Sequence, residues 1–165
     1  MQHAEPLIST PLPERPFKKV AADLFEFEKK EYLIFVDYYS RFIEIASMGN
    51  ITSETTINRL KNIFARYGVP ASLMTDNGTQ FTSASFEKFS KTWNFAHDTS
   101  SPHFHQANGA AERAVRTAKH ILSQEDPQLA LLTYRSTPIP ELGASPAELA
   151  FGRRIRTTLP ILSSQ

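Results

Sequence analysis

The apolar residues of this chain change their period once, and that change admits few folds. Three segments, Lys19 to Phe27, Tyr32 to Val36 and Arg41 to Ala46, follow one another with little chain between them. The middle one, Tyr32-Leu33-Ile34-Phe35-Val36, is apolar throughout, the pattern of a strand covered on both faces. Links this short join antiparallel neighbours, since a parallel pair needs a crossover of about a dozen residues. From Ile57 the spacing turns helical. Ile57, Leu60, Phe64 and Tyr67 share one face of a helix that Ser53 can cap and Gly68 can end.

Beyond Gly68, strands and helices alternate. Ala71 to Thr75 predicts a short strand. Ser83 to Trp93 predicts a helix with Phe86, Phe89 and Trp93 on one side, and Asn94 to Asp98 a fifth strand. Ser100 to Gly109 predicts a loop. A third helix then buries Ala111, Val115, Ala118 and Leu122. Asp126-Pro127 starts a fourth, running to about Arg135, and Ser145-Pro146-Ala147-Glu148 starts another, with Glu148 placed for a capping box. This order predicts an α/β fold: a five-stranded mixed sheet, three strands antiparallel and then two parallel, flanked by helices. Pro6, Pro11, Pro13 and Pro16 make residues 1–16 an extended arm or linker. Residues 17–162 are then one domain and 163–165 a tail, within the 165 residues that suffice for one well-packed core.

Composition removes several kinds of function. Without cysteine there is no disulfide, no cysteine-ligated zinc and no cysteine nucleophile. No apolar run approaches the roughly 20 residues of a membrane span. The start, Met1-Gln2-His3-Ala4-Glu5-Pro6, lacks the basic cluster and apolar core of a signal peptide. An intracellular protein with no membrane partner is expected. The net charge of +1 is nearly neutral, but the cations are grouped. Arg113, Arg116, Lys119 and His120 form one group, and Arg153, Arg154 and Arg156 another. A DNA-binding surface can be local in a nearly neutral protein.

The carboxylates are the candidate chemistry. Asp23 lies inside the apolar stretch Val20-Ala21-Ala22-Asp23-Leu24-Phe25, where an ionised group is costly unless paired or bound to metal. The bland alternative is a strand-end aspartate facing solvent. Asp76 follows an apolar strand and opens Asp76-Asn77-Gly78, a good turn sequence. It also stands at the carboxyl end of a strand, where α/β sheets gather ligands. Glu112 begins a helix with Arg116 at i+4 and Lys119 at i+7 on its face. Spacing alone leaves open whether Glu112 is a ligand or half of a surface pair with Arg116. His103 and His105 could chelate, and with His97 they invite a zinc hydrolase reading, but no further histidine stands at a recognised ligand spacing.

Positions 76 and 112 differ by 36, so 35 residues lie between them. Asp23, Asp76 and Glu112 together resemble the D,D-35-E triad of retroviral and retrotransposon integrases. Val36-Asp37-Tyr38-Tyr39-Ser40-Arg41-Phe42 looks like the second-strand segment of that family, and Thr75-Asp76-Asn77-Gly78-Thr79-Gln80-Phe81 like its second-carboxylate motif. Ser101-Pro102-His103 and Asn108-Gly109-Ala110-Ala111-Glu112-Arg113 look like the loop and helix that carry the third. The likeness continues through Tyr134-Arg135-Ser136-Thr137-Pro138 and Ser145-Pro146-Ala147-Glu148-Leu149. Gly152-Arg153-Arg154-Ile155-Arg156-Thr157 is most like the Ty3/gypsy-type (metavirid) elements.

The resemblance implies an RNase H-like fold and a polynucleotidyl transferase. Water would be the nucleophile in trimming the 3′ ends of element DNA, and the new 3′ hydroxyl in strand transfer to target DNA. It implies two Mg²⁺ ions per site, with Mn²⁺ as a substitute, held by Asp23, Asp76 and Glu112. It makes Asn108, Arg116, Lys119, Arg113, His103 and Gln106 the expected DNA contacts. Partners would be element-end DNA, target DNA and further copies of the chain. The nucleus is implied as the place of action on host DNA, with a cytoplasmic particle before that. Family members carry an upstream zinc-binding domain and a downstream DNA- or chromatin-binding domain, so a longer protein is expected. His105 stands where the family usually has proline, and Ala107 where it usually has serine. The alternatives are a domesticated module that binds DNA or protein without catalysis, and a related DDE transposase or RNase H-like nuclease.

Overall fold

The computed structural model describes residues 14–99 and 109–160. Pro6, Pro11 and Pro13 of the arm, most of the Ser100–Gly109 loop and the 163–165 tail lie outside the described residues. The strands are β1 (Lys19–Phe27), β2 (Lys30–Asp37), β3 (Ile43–Met48), β4 (Ser72–Thr75) and β5 (Ala96–Thr99). The helices are α1 (Ser53–Tyr67), α2 (Thr79–Thr82), α3 (Ala84–Thr92), α4 (Gly109–Leu122), α5 (Pro127–Ser136) and α6 (Pro146–Phe151). The sheet order is β3-β2-β1-β4-β5. β1, β2 and β3 pair antiparallel, while β4 runs parallel to β1 and β5 parallel to β4. This is the expected mixed sheet. Among the described residues no helix is long and apolar enough to cross a membrane.

Two turns shape the antiparallel part. Glu28 and Lys29 join β1 to β2 with φ of 49° and 63°, both in the left-handed region that such a tight turn requires. Neither is the glycine or asparagine that usually marks it. Asp37 closes the next turn. It is fully buried, and its carboxylate accepts from Phe17 N at 2.8 Å, Ser40 N at 3.0 Å and Ser40 Oγ at 2.6 Å. Arg41 then takes a φ of 59°, so β3 starts at Ile43 rather than at Arg41.

The strand period of two sorts side chains onto two faces. Val20, Ala22, Leu33, Phe35 and Leu73 face α1, α2 and α3, against Leu60, Phe64, Phe81, Phe86 and Phe89. Ala21, Phe25, Ile34, Val36 and Ile43 face α4, against Ala111, Ala114, Ala118 and Ile121. The buried stripe of α4 therefore uses Ala114 and Ile121, whereas Val115 and Leu122 flank it only partly buried. Thr52 rather than Ser53 caps α1, accepting from Thr55 N at 3.2 Å. Asp126 and Ser145 cap α5 and α6 as expected, and Glu148 meets the Ser145 hydroxyl at 3.2 Å.

Two carbonyls of the edge strand β3 are taken by side chains. Arg59 Nε donates to Ser47 O at 2.9 Å, and Arg135 Nη2 to Ile43 O at 2.6 Å. Occupied carbonyls give an incoming strand less to bind.

Candidate active site

The parallel pairing of β1 with β4 builds the site. Ala21 lies beside Met74, so the same register carried two residues further sets Asp23 beside Asp76. The period of two also fixes the face. Asp23 lies between Ala21 and Phe25, opposite Ile34, on the face that α4 covers. Glu112 is in the first turn of α4, on the same side of the sheet. One sheet end thus receives one carboxylate from a central strand, one from just past its neighbour and one from a covering helix.

The electrostatics show what this arrangement costs. Asp23 is half-buried. Burial first, and then the charge of Asp76, push its carboxyl up from 3.8 to about 6. The approach of the Asp76 carboxyl and the charge of Glu112 add to the rise, and the Leu24 N–H, donating to Asp23 Oδ1 at 2.8 Å, opposes it. Asp76 is held by its own turn, with Oδ1 accepting from Gly78 N at 2.9 Å. A side chain at Gly78 would crowd this turn. A Cβ there would come within 3.0 Å of Asp76 Oδ1 and 3.0 Å of Gln80 Oε1, although its φ of −57° is open to any residue.

Glu112 is exposed, and among the described residues it makes no ion pair with Arg116 or Lys119. The surface-pair reading of Glu112 is therefore not realised. Among the described residues, no three carboxylate or histidine side chains gather closely enough to hold a metal ion. Asp23 and Asp76 form a close pair, and Glu112 acts on Asp23 by charge from further off. The donor set suits a hard divalent cation all the same, because it consists of oxygen atoms and carries repulsion that a cation would offset. Arg113, Arg116 and Lys119 are exposed along α4. Asn108, His103, Gln106 and His105 lie outside the described residues.

Comparison with known proteins decides the family. The model of the integrase core domain matches residues 13–104, more than half of the chain. The chain belongs to the integrase core domain family. An uncharacterized protein of Caenorhabditis elegans is 36% identical over 173 residues, covering 98% of this chain and 14% of that protein. The Gag-Pol polyprotein of walleye dermal sarcoma virus is 32% identical over 163 residues, covering 90% of this chain and 9% of the polyprotein. The chain therefore spans a small part of the length of these relatives.

Solved integrases share the fold. The simian T-cell lymphotropic virus intasome, in complex with the PP2A regulatory subunit B56 gamma, contains a chain that superposes with a TM-score of 0.80 at 21% identity, covering 99% of this chain and 66% of that one. The HTLV-2 integrase catalytic core domain, in complex with magnesium and in a trimeric form, gives 0.68 at 21% identity, covering 83% of this chain and 98% of that one. The fold of this integrase core domain is RNase H-like.

Thr75 escaped the sequence reading as a site residue, and His97 entered it only as a candidate zinc ligand. Thr75, fully buried, donates through Oγ1 to Asp76 O at 2.9 Å, and His97 Nε2 lies 2.7 Å from Thr75 Oγ1. Their pairing depends on the β4–β5 register, which no local motif announces.

Proposed function

We propose that this chain is the catalytic core of a retroelement integrase. Its site would trim the 3′ ends of element DNA and transfer the new 3′ hydroxyls into target DNA, in the nucleus when the target is host DNA. The carrying observation is the continuation of the β1–β4 register that sets Asp23 beside Asp76, on the face that α4 supplies with Glu112. In this reading the three residues hold Mg²⁺, with Mn²⁺ as a substitute. The HTLV-2 neighbour in complex with magnesium supports that choice. Two such ions, when bound, would polarise the scissile phosphate and stabilise the attacking and leaving oxygens of an in-line displacement.

The chain's own residues have separate tasks. Asp23, rooted in a central strand, fixes the centre of the site. The Gly78 N–H aims Asp76, and Glu112 closes the site from α4. Arg116 and Lys119 stand one and two turns beyond Glu112 on the same helix face, so they would follow the phosphates of a DNA strand reaching the carboxylates. Arg113 points about 100° aside, so it would meet a different part of the backbone. The intasome and trimeric neighbours support action in a multimer.

A DNA-joining assay tests the reading, with labelled element-end and branched disintegration substrates, with and without Mg²⁺. The expected result is joined product with Mg²⁺ or Mn²⁺ and none with a chelator. DNA binding with no metal-dependent product would instead support a binding module without catalysis.

A further inference from the structure

We propose that Thr75 and His97 are positioning residues for the Asp76 carboxylate, an inference that rests on the metal-binding reading above. Among the described residues the β1–β4 ladder ends at Ala21 and Met74 and the β4–β5 ladder at Thr75 and Thr99, so Asp76 lies past the end of both. Its peptide is held in another way. The Thr75 hydroxyl donates to Asp76 O at 2.9 Å, while Gly78 N donates to Asp76 Oδ1 at 2.9 Å. One bond fixes the main chain and the other the carboxylate.

A hydroxyl has one proton. With it given to Asp76 O, Thr75 Oγ1 can only accept from His97 Nε2, 2.7 Å away, and that assigns the Nε2–H tautomer to the imidazole. The His97 ring packs 4.7 Å from Phe86 of α3, so the hydroxyl rotor is tied to the aromatic core. Burial lowers the tendency of His97 to protonate, consistent with a neutral ring that donates through one nitrogen. A chain of contacts thus runs from α3 through Phe86, His97 and Thr75 to the main chain of Asp76. Partners that orient a metal ligand from behind typically contribute about 10–100-fold to metal affinity or activity.

The test is Mn²⁺ binding by calorimetry on the 165-residue chain, beside DNA joining on the same samples. Thr75→Val is expected to weaken Mn²⁺ binding about 10–100-fold, and Thr75→Ser to rescue it. His97→Phe should weaken binding in the same direction. The double variant should be no worse than Thr75→Val alone, because both act through one hydroxyl. Should Thr75→Val fail to fold, His97→Phe and His97→Gln carry the test from a partly exposed position, with Gln keeping an N–H donor and the tighter binding. Wild-type affinity in Thr75→Val or His97→Phe, or losses that add in the double variant, would overturn the inference. A wild-type chain that binds Mn²⁺ but joins no DNA contradicts the proposed function and leaves this comparison standing. A wild-type chain that binds no Mn²⁺ overturns both.

Discussion

The two faces of the sheet are filled with different materials. Toward α1 and α3 the core is aromatic. Phe64 stacks on Phe89 with ring centroids 5.9 Å apart and meets Phe95 edge-on at 5.4 Å, while Phe86 meets Phe81 at 5.6 Å and Phe89 at 5.6 Å. Toward α4 the helix contributes Ala111, Ala114 and Ala118, with Ile121 as the one large buried side chain. Large rings bury much apolar surface per residue and prefer such edge and offset contacts. Small side chains bury less but let a helix axis come close to its neighbour. The aromatic face is therefore where stability is concentrated. The alanine face brings Glu112 toward Asp23, and it bears the repulsion among the carboxylates.

This contrast can be broken experimentally, starting with its strongest consequence. Phe64→Ala should destabilise the domain by about 3–5 kcal/mol in urea unfolding. A loss below about 1 kcal/mol would mean that the aromatic face is not the anchor. Ala118→Leu should cost less, about 1–3 kcal/mol by overpacking, yet it should depress DNA joining more than its residual folded fraction explains. Activity that simply tracks the folded fraction would detach α4 spacing from the site.

The third test inverts the usual sign of a mutation. Folding favours the protonated form of Asp23. That contribution to stability is fully present below pH 3.8 and is lost as the pH rises through about 6. Asp23→Asn should therefore raise the melting temperature of the metal-free domain at pH 7. The full shift would correspond to roughly 3 kcal/mol, and partial exposure to water reduces it to about 1 kcal/mol, or about 2–4 °C. The gain should vanish near pH 4, and Mg²⁺ should raise the melting temperature of the wild type but not of the variant. A lower melting temperature for Asp23→Asn at pH 7 would show that the carboxylates do not strain this face. The smallest expected effect on stability belongs to Glu112→Gln. An exposed side chain with no ion pair should move stability by no more than about 0.5 kcal/mol, while Mg²⁺-dependent DNA joining is lost.

Much of this was legible from the chain alone, for physical reasons that differ by element. The apolar run Tyr32–Val36, buried from Leu33 onward, and the helical spacing from Ile57 read correctly, because burial imposes the period directly. The resemblance to integrases, not the spacing alone, grouped Asp76 and Glu112 with Asp23. The sequence could not show that β1 pairs with β4 in the register that leads Asp76 toward Asp23, since parallel pairing is set by packing across the sheet. The four-residue helix α2 was missed because Thr79-Gln80-Phe81-Thr82 has no helical period of its own. It forms where Phe81 sinks into the aromatic core. The β1–β2 turn gave no signal because Glu28 and Lys29 adopt a conformation that their side chains do not favour. Asp37 read only as part of a motif, whereas the structure makes it the fully buried tie between Phe17 and the turn before β3. The Thr75–His97 contact joins residues 22 positions apart, and only the fold brings them together.

The most direct test of the central claim is Asp76→Asn in the DNA-joining and disintegration assays. This substitution keeps the shape of the side chain and an oxygen for the Gly78 N–H, and removes one negative charge from the sheet end. The expected result is a folded protein whose melting temperature is unchanged or higher, and whose Mg²⁺- and Mn²⁺-dependent product falls to background. Full strand transfer by folded Asp76→Asn would contradict the assignment of this sheet end as the catalytic site.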